Sequence, residues 1–284
     1  MRKSNLISCL LLVATASFTA CAQKKQYTSP AGYDFSRPEK FFLPESLTEI
    51  SGIAFYKGNP DSMYAIQDEE GKLFYFKPGV KSVTYAKYGK HGDYEDLAIC
   101  NNTVTILKSN GSLYTFPFSE ARNEKTAGVK EWKNLLPAGE YESLYADNNQ
   151  SLIYVLGKNL KEDKGRRRVS GFIFRLITAD SLAPAGEFAV HMNQQVKDMP
   201  EKAVHPSALS RNDQTKEWYI LSSVNKALIV TDTNWQVKKV YLLDPRIFHH
   251  PEGIAFDRDN NLYISNEGDD ATAANLLKFI YQKP

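Results

Sequence analysis

The chain has 284 residues, with 35 Lys and Arg against 33 Asp and Glu, a formal net charge of +2 and 42 % hydrophobic residues. This balance excludes a polybasic nucleic-acid binder, which carries a basic excess or stripe, and the length suits one large β domain or two small ones. Three cysteines, Cys9, Cys21 and Cys100, without zinc-like spacing exclude a disulfide framework and a cysteine-ligated zinc site.

The first segment stands apart from the rest. Arg2 and Lys3 precede an apolar stretch from Leu6 to Phe18, and small residues follow before Cys21. This is the layout of a secretory signal, and the apolar run is too short to span a bilayer. Phe18-Thr19-Ala20-Cys21 resembles the lipobox of bacterial lipoproteins, with Phe where Leu is commonest. The expectation is a signal over residues 1–20, removed to leave Cys21 as the first residue, carrying lipid that anchors the chain without spanning the membrane. Residues 22–26, Ala-Gln-Lys-Lys-Gln, contain neither the Asp of an inner-membrane retention signal nor an acidic export run. The expected address is the outer membrane, facing the periplasm. Loss of Arg2 and Lys3 leaves 33 basic and 33 acidic side chains, a net charge of zero.

Residues 21–32 are read as a tether and 33–284 as a single β domain. In chain order, five short phrases repeat: Glu49-Ile50-Ser51-Gly52-Ile53-Ala54-Phe55, Tyr94-Glu95-Asp96-Leu97-Ala98-Ile99, Tyr141-Glu142-Ser143-Leu144, His205-Pro206-Ser207-Ala208-Leu209 and His250-Pro251-Glu252-Gly253-Ile254-Ala255-Phe256. Their anchors at 49, 95, 142, 207 and 252 are spaced 46, 47, 65 and 45 residues apart. The long interval contains a polar insert at 158–168, read as an extended connection. After each anchor strand come a second strand (62–66, 103–107, 151–156, 217–221 and 261–265) and a third (72–76, 112–116, 171–177, 227–230 and 276–280). A weaker fourth appears in four units, at 82–86, 129–132, 186–190 and 236–241. The runs are β-branched and aromatic, and the joins carry turn residues such as Asn110-Gly111 and Asp147-Asn148-Asn149. Four antiparallel strands repeated about every 45 residues are the arithmetic of a propeller blade. The fold class expected is therefore an all-β, five-bladed propeller, in preference to an open β-sandwich. The last unit lacks its fourth strand, while Phe35 and Phe41-Phe42-Leu43 precede the first anchor. A strand from that segment completes the fifth blade, closes the ring and covers the open edge.

Four of the five anchors are glutamates: Glu49, Glu95, Glu142 and Glu252. The innermost strand of each blade lines the axis, so these carboxylates converge and each disfavours ionisation of the others. Raised pKa values, basic partners or a bound cation must compensate, and a hard oxygen-liganded ion such as Ca²⁺ suits these ligands. The alternative is that the glutamates join blades by pairing with Lys and Arg. Ser207 breaks the pattern in the fourth unit. His205 and His250, with His249 beside the latter, are expected near the same mouth, as are Asn266, Glu267, Gln67 and Asp68. Cys100 ends an apolar strand and is read as a buried, inert thiol. There is no Gly-Xaa-Ser-Xaa-Gly elbow, Walker loop or His-Glu-Xaa-Xaa-His motif.

The phrases Glu49 to Phe55, Tyr141 to Leu144, His205 to Leu209 and, foremost, His250 to Glu267 resemble the SdiA-regulated proteins, which are similar at a distance to NHL-repeat propellers; the likeness covers roughly residues 45–280. The resemblance implies five blades and a calcium site, for which Glu95, Glu142 and Glu252 are the favoured ligands and Glu49 the next. It implies no reaction, because propeller relatives include lactonases, phosphatases and binding modules. The expected protein is a monomeric, calcium-binding envelope propeller that binds a small molecule or a protein at the channel mouth. The alternatives are a metal-dependent hydrolase, lactonase- or phosphoesterase-like, and an envelope scaffold with a large apolar side patch.

Overall fold

A computed structural model describes residues 26–283. The expected signal over 1–20 and the lipidated Cys21 lie outside the described residues. Strand β1 (Glu39–Phe42) comes first in the chain but last in the ring. Blade 1 follows as β2 (Ile50–Phe55), β3 (Met63–Gln67), β4 (Lys72–Phe76) and β5 (Thr84–Lys87). Blade 2 is β6 (Tyr94–Cys100), β7 (Thr103–Lys108), β8 (Leu113–Pro117) and β9 (Lys130–Trp132). Blade 3 is β10 (Gly139–Asp147), β11 (Leu152–Leu160), β12 (Arg168–Thr178) and β13 (Ser181–His191). Blade 4 is β14 (Ala208–Arg211), β15 (Trp218–Ser222), β16 (Ala227–Thr231) and β17 (Val237–Leu242). Blade 5 is β18 (Pro251–Phe256), β19 (Leu262–Asn266) and β20 (Asn275–Phe279), completed by β1 in the order β1-β20-β19-β18. Among the described residues these are five four-stranded antiparallel sheets, the architecture the repeat predicts. No helix among them is long and apolar enough to cross a membrane.

The middle strands of each blade are buried on both faces, since every sheet packs against a neighbour on either side. In β15 and β16 every residue is buried. Alternation divides them between two cores: Ile220 and Ile229 pack toward blade 3, while Tyr219, Leu221, Leu228 and Val230 pack toward blade 5. Each of the five apolar clusters fills one seam between adjacent blades. Cys100 lies in the blade 2–blade 3 seam, where burial pushes its thiol up to about 11. The thiol is buried, as expected.

Ring closure is antiparallel pairing of Glu39 with Lys278 through Phe42 with Asn275, reinforced by a 3.0 Å contact between Lys278 Nζ and Glu39 Oε2. Phe35 is no part of this strand. It packs into the blade 4–blade 5 seam, its ring centroid 4.7 Å from Phe279 and 5.4 Å from Phe248. Tyr33 Oη donates to the Asn260 carbonyl at 2.7 Å and accepts from Asn260 Nδ2 at 2.9 Å. Pro30 is buried, and Phe35 N donates to Ser29 Oγ at 2.8 Å. The segment read as a tether to residue 32 is thus docked on the domain from Ser29 onward.

The insert at 158–168 also differs from the expectation. β11 continues through Leu160, which pairs with Gly139, and β12 begins at Arg168, so only 161–167 forms the turn. The long repeat interval comes from lengthened strands and from the 192–207 connection.

Candidate functional site at the axial mouth

Four of the five inner strands carry a register irregularity near their start, and the inner strand of blade 4 pairs without one. Tyr94 faces Lys108 and Asp96 faces Leu107, which leaves Glu95 without a partner. Glu142 is skipped in the same way between Tyr141 and Ser143, and Glu252 between Pro251 and Gly253. A bulge places two residues opposite one and re-aims the extra side chain. Here the flanking residues stay buried and the three bulged glutamates turn to the axis. In blade 1 the irregularity falls between Ile50, opposite Gln67, and Ile53, opposite Ala65. Ser51 therefore holds the position that glutamate holds in the other blades. Glu49, expected in the ring from the spacing, lies two residues earlier and does not line the cavity.

Ser51, Glu95, Glu142, Ser207 and Glu252 line a cavity of about 740 Å³. Asp68, Asp93, Glu140 and Glu267 add carboxylates, Lys158 and Lys226 add cations, and His205 and His250 reach the same wall. The far end of the axis is lined by Ile53, Leu97, Leu144, Leu209 and Ile254, with charged residues such as Asp147, Arg211, Asp257 and Arg258 among them. Of the remaining expected residues, Asn266 is fully buried away from the mouth, its Nδ2 donating to the Ile247 carbonyl at 3.1 Å and to Asn275 Oδ1 at 3.0 Å. Gln67 is buried and accepts from the Glu69 amide at 2.9 Å, a turn contact. His205 Nδ1 lies 3.3 Å from the Lys158 carbonyl, and Ser207 Oγ donates to the Pro251 carbonyl at 3.0 Å. Lys158, Lys226, Asp93 and Glu140 were not singled out in the sequence. The spacing of Lys158, sixteen residues after Glu142, points to nothing until the hairpin register is known.

The electrostatics follow from desolvation. Burial, then Asp93, pushes the Glu95 carboxyl up to about 8 against the opposing pull of Lys158. Burial pushes Glu252 up to about 7, with Ser223 as the chief opposing contact. Asp68 is raised to about 6 by burial and by Glu49, and Glu267 is raised by burial, with Glu49 adding to the effect and His250 opposing it. Two of the three compensations expected from the sequence are therefore present: elevated pKa values and a basic partner. The Lys158 ammonium is ion-paired with Glu142 and its field reaches Glu95 and Glu252, while Lys226 acts on Glu252.

The oxygen donors suit a hard cation such as Ca²⁺. Among the described residues no three carboxylates are close enough to hold a metal together as they stand, and an ammonium already occupies the Glu142 side. Asp68 Oδ1 is buried with no hydrogen-bond partner, and Glu49 and Glu267 both raise its pKa. Such an oxygen is satisfied either by a proton, which the contact with Glu49 and the raised pKa favour, or by a cation.

Residues 173–269 match the family described as SdiA-regulated, so the resemblance seen in the sequence is a family match over that segment. No curated protein matches the chain. Among solved structures, the glutaminyl cyclase of Myxococcus xanthus is similar with a TM-score of 0.56 at 12 % identity, over 85 % of this chain and 93 % of that one. A regucalcin from Agrobacterium tumefaciens, described as a calcium-binding protein, is similar with a TM-score of 0.50 at 11 % identity, over 89 % of this chain and 95 % of that one. At these identities the likeness is one of fold.

Proposed function

We propose that this protein is a binding propeller of the bacterial cell envelope, anchored by lipid on Cys21, which takes a calcium ion at its axial mouth and binds a small molecule or a protein there. The observation that carries the cation is the unpartnered, buried Asp68 Oδ1 beside Glu49 and Glu267. Asp68 and Glu267, which line the cavity, would hold the ion, with Glu49 adding to their negative field from behind the wall. Glu95, Glu142 and Glu252, the ligands the sequence favoured, would shape its field from across the cavity, where Lys158 already counters them. Bound calcium would neutralise carboxylates that otherwise stay partly protonated. The structural neighbour described as calcium-binding supports the reading only in that a fold of this kind hosts such a function.

Calorimetric titration of calcium into the metal-free protein tests this. Saturable binding that disappears in Asp68→Asn and persists in Glu95→Gln is the expected result. Absence of both heat and thermal stabilisation would remove calcium from the account. Binding lost in Glu142→Gln but intact in Asp68→Asn would move the ion to the Lys158 side and overturn this placement. Lipid incorporation into the wild type and not into Cys21→Ser checks the anchor.

A further inference from the structure

We propose that a second cavity, beside the mouth, is an oxyanion site for a phosphate-class group. It has a volume of about 430 Å³ and lies between the turn joining β11 to β12 and the connection from β13 to β14. Six cationic residues line it against two carboxylates, and one of the six, Lys158, has its ammonium committed to Glu142 at the mouth. One carboxylate is already committed: Asp163 Oδ1 accepts from Arg168 Nε and Ser170 Oγ, and its Oδ2 from Ser170 N, each at 2.8 Å. These contacts hold the turn in shape and occupy Arg168. Lys164, Arg166, Arg167 and Lys202 make no ion pair among the described residues, and neither does the second carboxylate, Glu201. The opposite wall is pinned as well, with Gln194 Nε2 donating to the Pro200 carbonyl at 3.2 Å and Asn225 Nδ2 to the Ala203 carbonyl at 3.3 Å.

Uncompensated cations around a concavity repel one another, and an anion between them relieves that repulsion. Guanidinium groups favour oxyanions because their forked donors match two oxygens at once. A small anion fits better than a polyanion. The cations gather in a concavity rather than along a stripe, and the acidic mouth adjoins it, sharing Lys158 and His205 as a wall. A nucleic acid or a flat anionic membrane would have to cross that negative field. The site stands on residues separate from the proposed calcium ligands.

Inorganic phosphate titrated calorimetrically into the full protein in calcium-free buffer tests the proposal. Saturable binding is expected, weakened roughly ten-fold or more in the Arg166→Ser/Arg167→Ser double variant as charge-assisted hydrogen bonds are lost. Lys202→Ser, on the other wall, should weaken it as well, and Asp68→Asn should leave it intact even though calcium binding fails. No saturation at millimolar phosphate, or unchanged affinity in the double variant, overturns the site. A parallel arm uses vesicles containing phosphatidylglycerol. Vesicle binding that free phosphate does not compete away would assign these cations to a membrane surface and overturn the small-anion site.

Discussion

The Lys158 ammonium meets the Glu142 carboxylate across the β10–β11 hairpin, with the two side chains only 29 % and 13 % exposed. A pair this enclosed sits between the weak surface ion pair and the buried one that is costly to break. Lys158→Met should cost roughly 1–3 kcal/mol in denaturant unfolding at pH 8. The part of the loss that comes from the attraction of Lys158 to Glu95 and Glu252 should shrink toward pH 5, where those two carboxyls protonate. The same variant should bind calcium several-fold more tightly, because it removes a resident positive charge from the cavity.

Glu95 carries an opposite pH signature from most carboxylates. Its folded pKa of about 8 exceeds the ordinary 4.5, so the native state holds a proton that the unfolded state releases between those values. Stability from this group is present below pH 4.5 and is lost as pH rises through 8. Glu95→Gln should therefore raise Tm at pH 8.5 by several degrees, at about 2–4 °C per kcal/mol for a domain of this size. It should give no gain at pH 4.5. A Tm difference independent of pH would refute the desolvation assigned to this carboxyl.

Calcium binding should release protons. Asp68 titrates at about 6 and the Glu267 carboxyl is also raised, so the ion competes with protons for the same oxygens. Affinity should level off above neutrality and fall by roughly ten-fold per pH unit below pH 6 for each proton displaced. Titration in buffers of different ionisation enthalpy measures the protons released.

At the waist of the ring, Asp96 binds blade 2 to blade 3. Its fully buried carboxyl accepts from the Leu97 amide at 2.8 Å and the Leu144 amide at 2.7 Å, and it abuts Gly52 of blade 1. Asp96→Ala strands two buried amides, each worth about 1–3 kcal/mol. Gly52→Ala places a Cβ 2.7 Å from both the Asp96 Cα and the Leu97 N, backbone that a rotamer change does not relieve. Both variants should lower the denaturation midpoint without changing the far-UV spectrum.

The chain ends clasp each other through Phe35 as well as through β1. Phe35 is 5 % exposed among Phe248 and Phe279. Phe35→Ala should cost about 3–5 kcal/mol. Deletion of residues 26–43 should go further, baring the β20 edge and producing concentration-dependent aggregation on size exclusion.

Much of this architecture was legible because blade signals are local. Alternation in Tyr219-Ile220-Leu221 and turn residues such as Asn110-Gly111 act within a few residues, so strand positions and the five-fold count could be read directly. Closure was legible too, but the choice between Phe35 and Phe41-Phe42-Leu43 was not. Both segments carry phenylalanine, and only the register against β20 separates a strand residue from a core plug.

The sequence by itself determined the blades, their number, the need for an N-terminal closing strand and the gathering of carboxylates at one end of the axis. Ser51 was legible as the ring residue of blade 1, because Ser51-Gly52-Ile53-Ala54-Phe55 aligns with Glu252-Gly253-Ile254-Ala255-Phe256. The spacing of glutamates pointed to Glu49 instead, and only the register against β3 gives the physical reason why Ser51 faces the axis. Lys158 became a counter-ion, and Arg166 and Arg167 became the wall of a cavity, only when a hairpin and a distant connection met. The raised pKa values belong to that level as well. Desolvation is a property of the enclosed volume, and charges from all five blades share it.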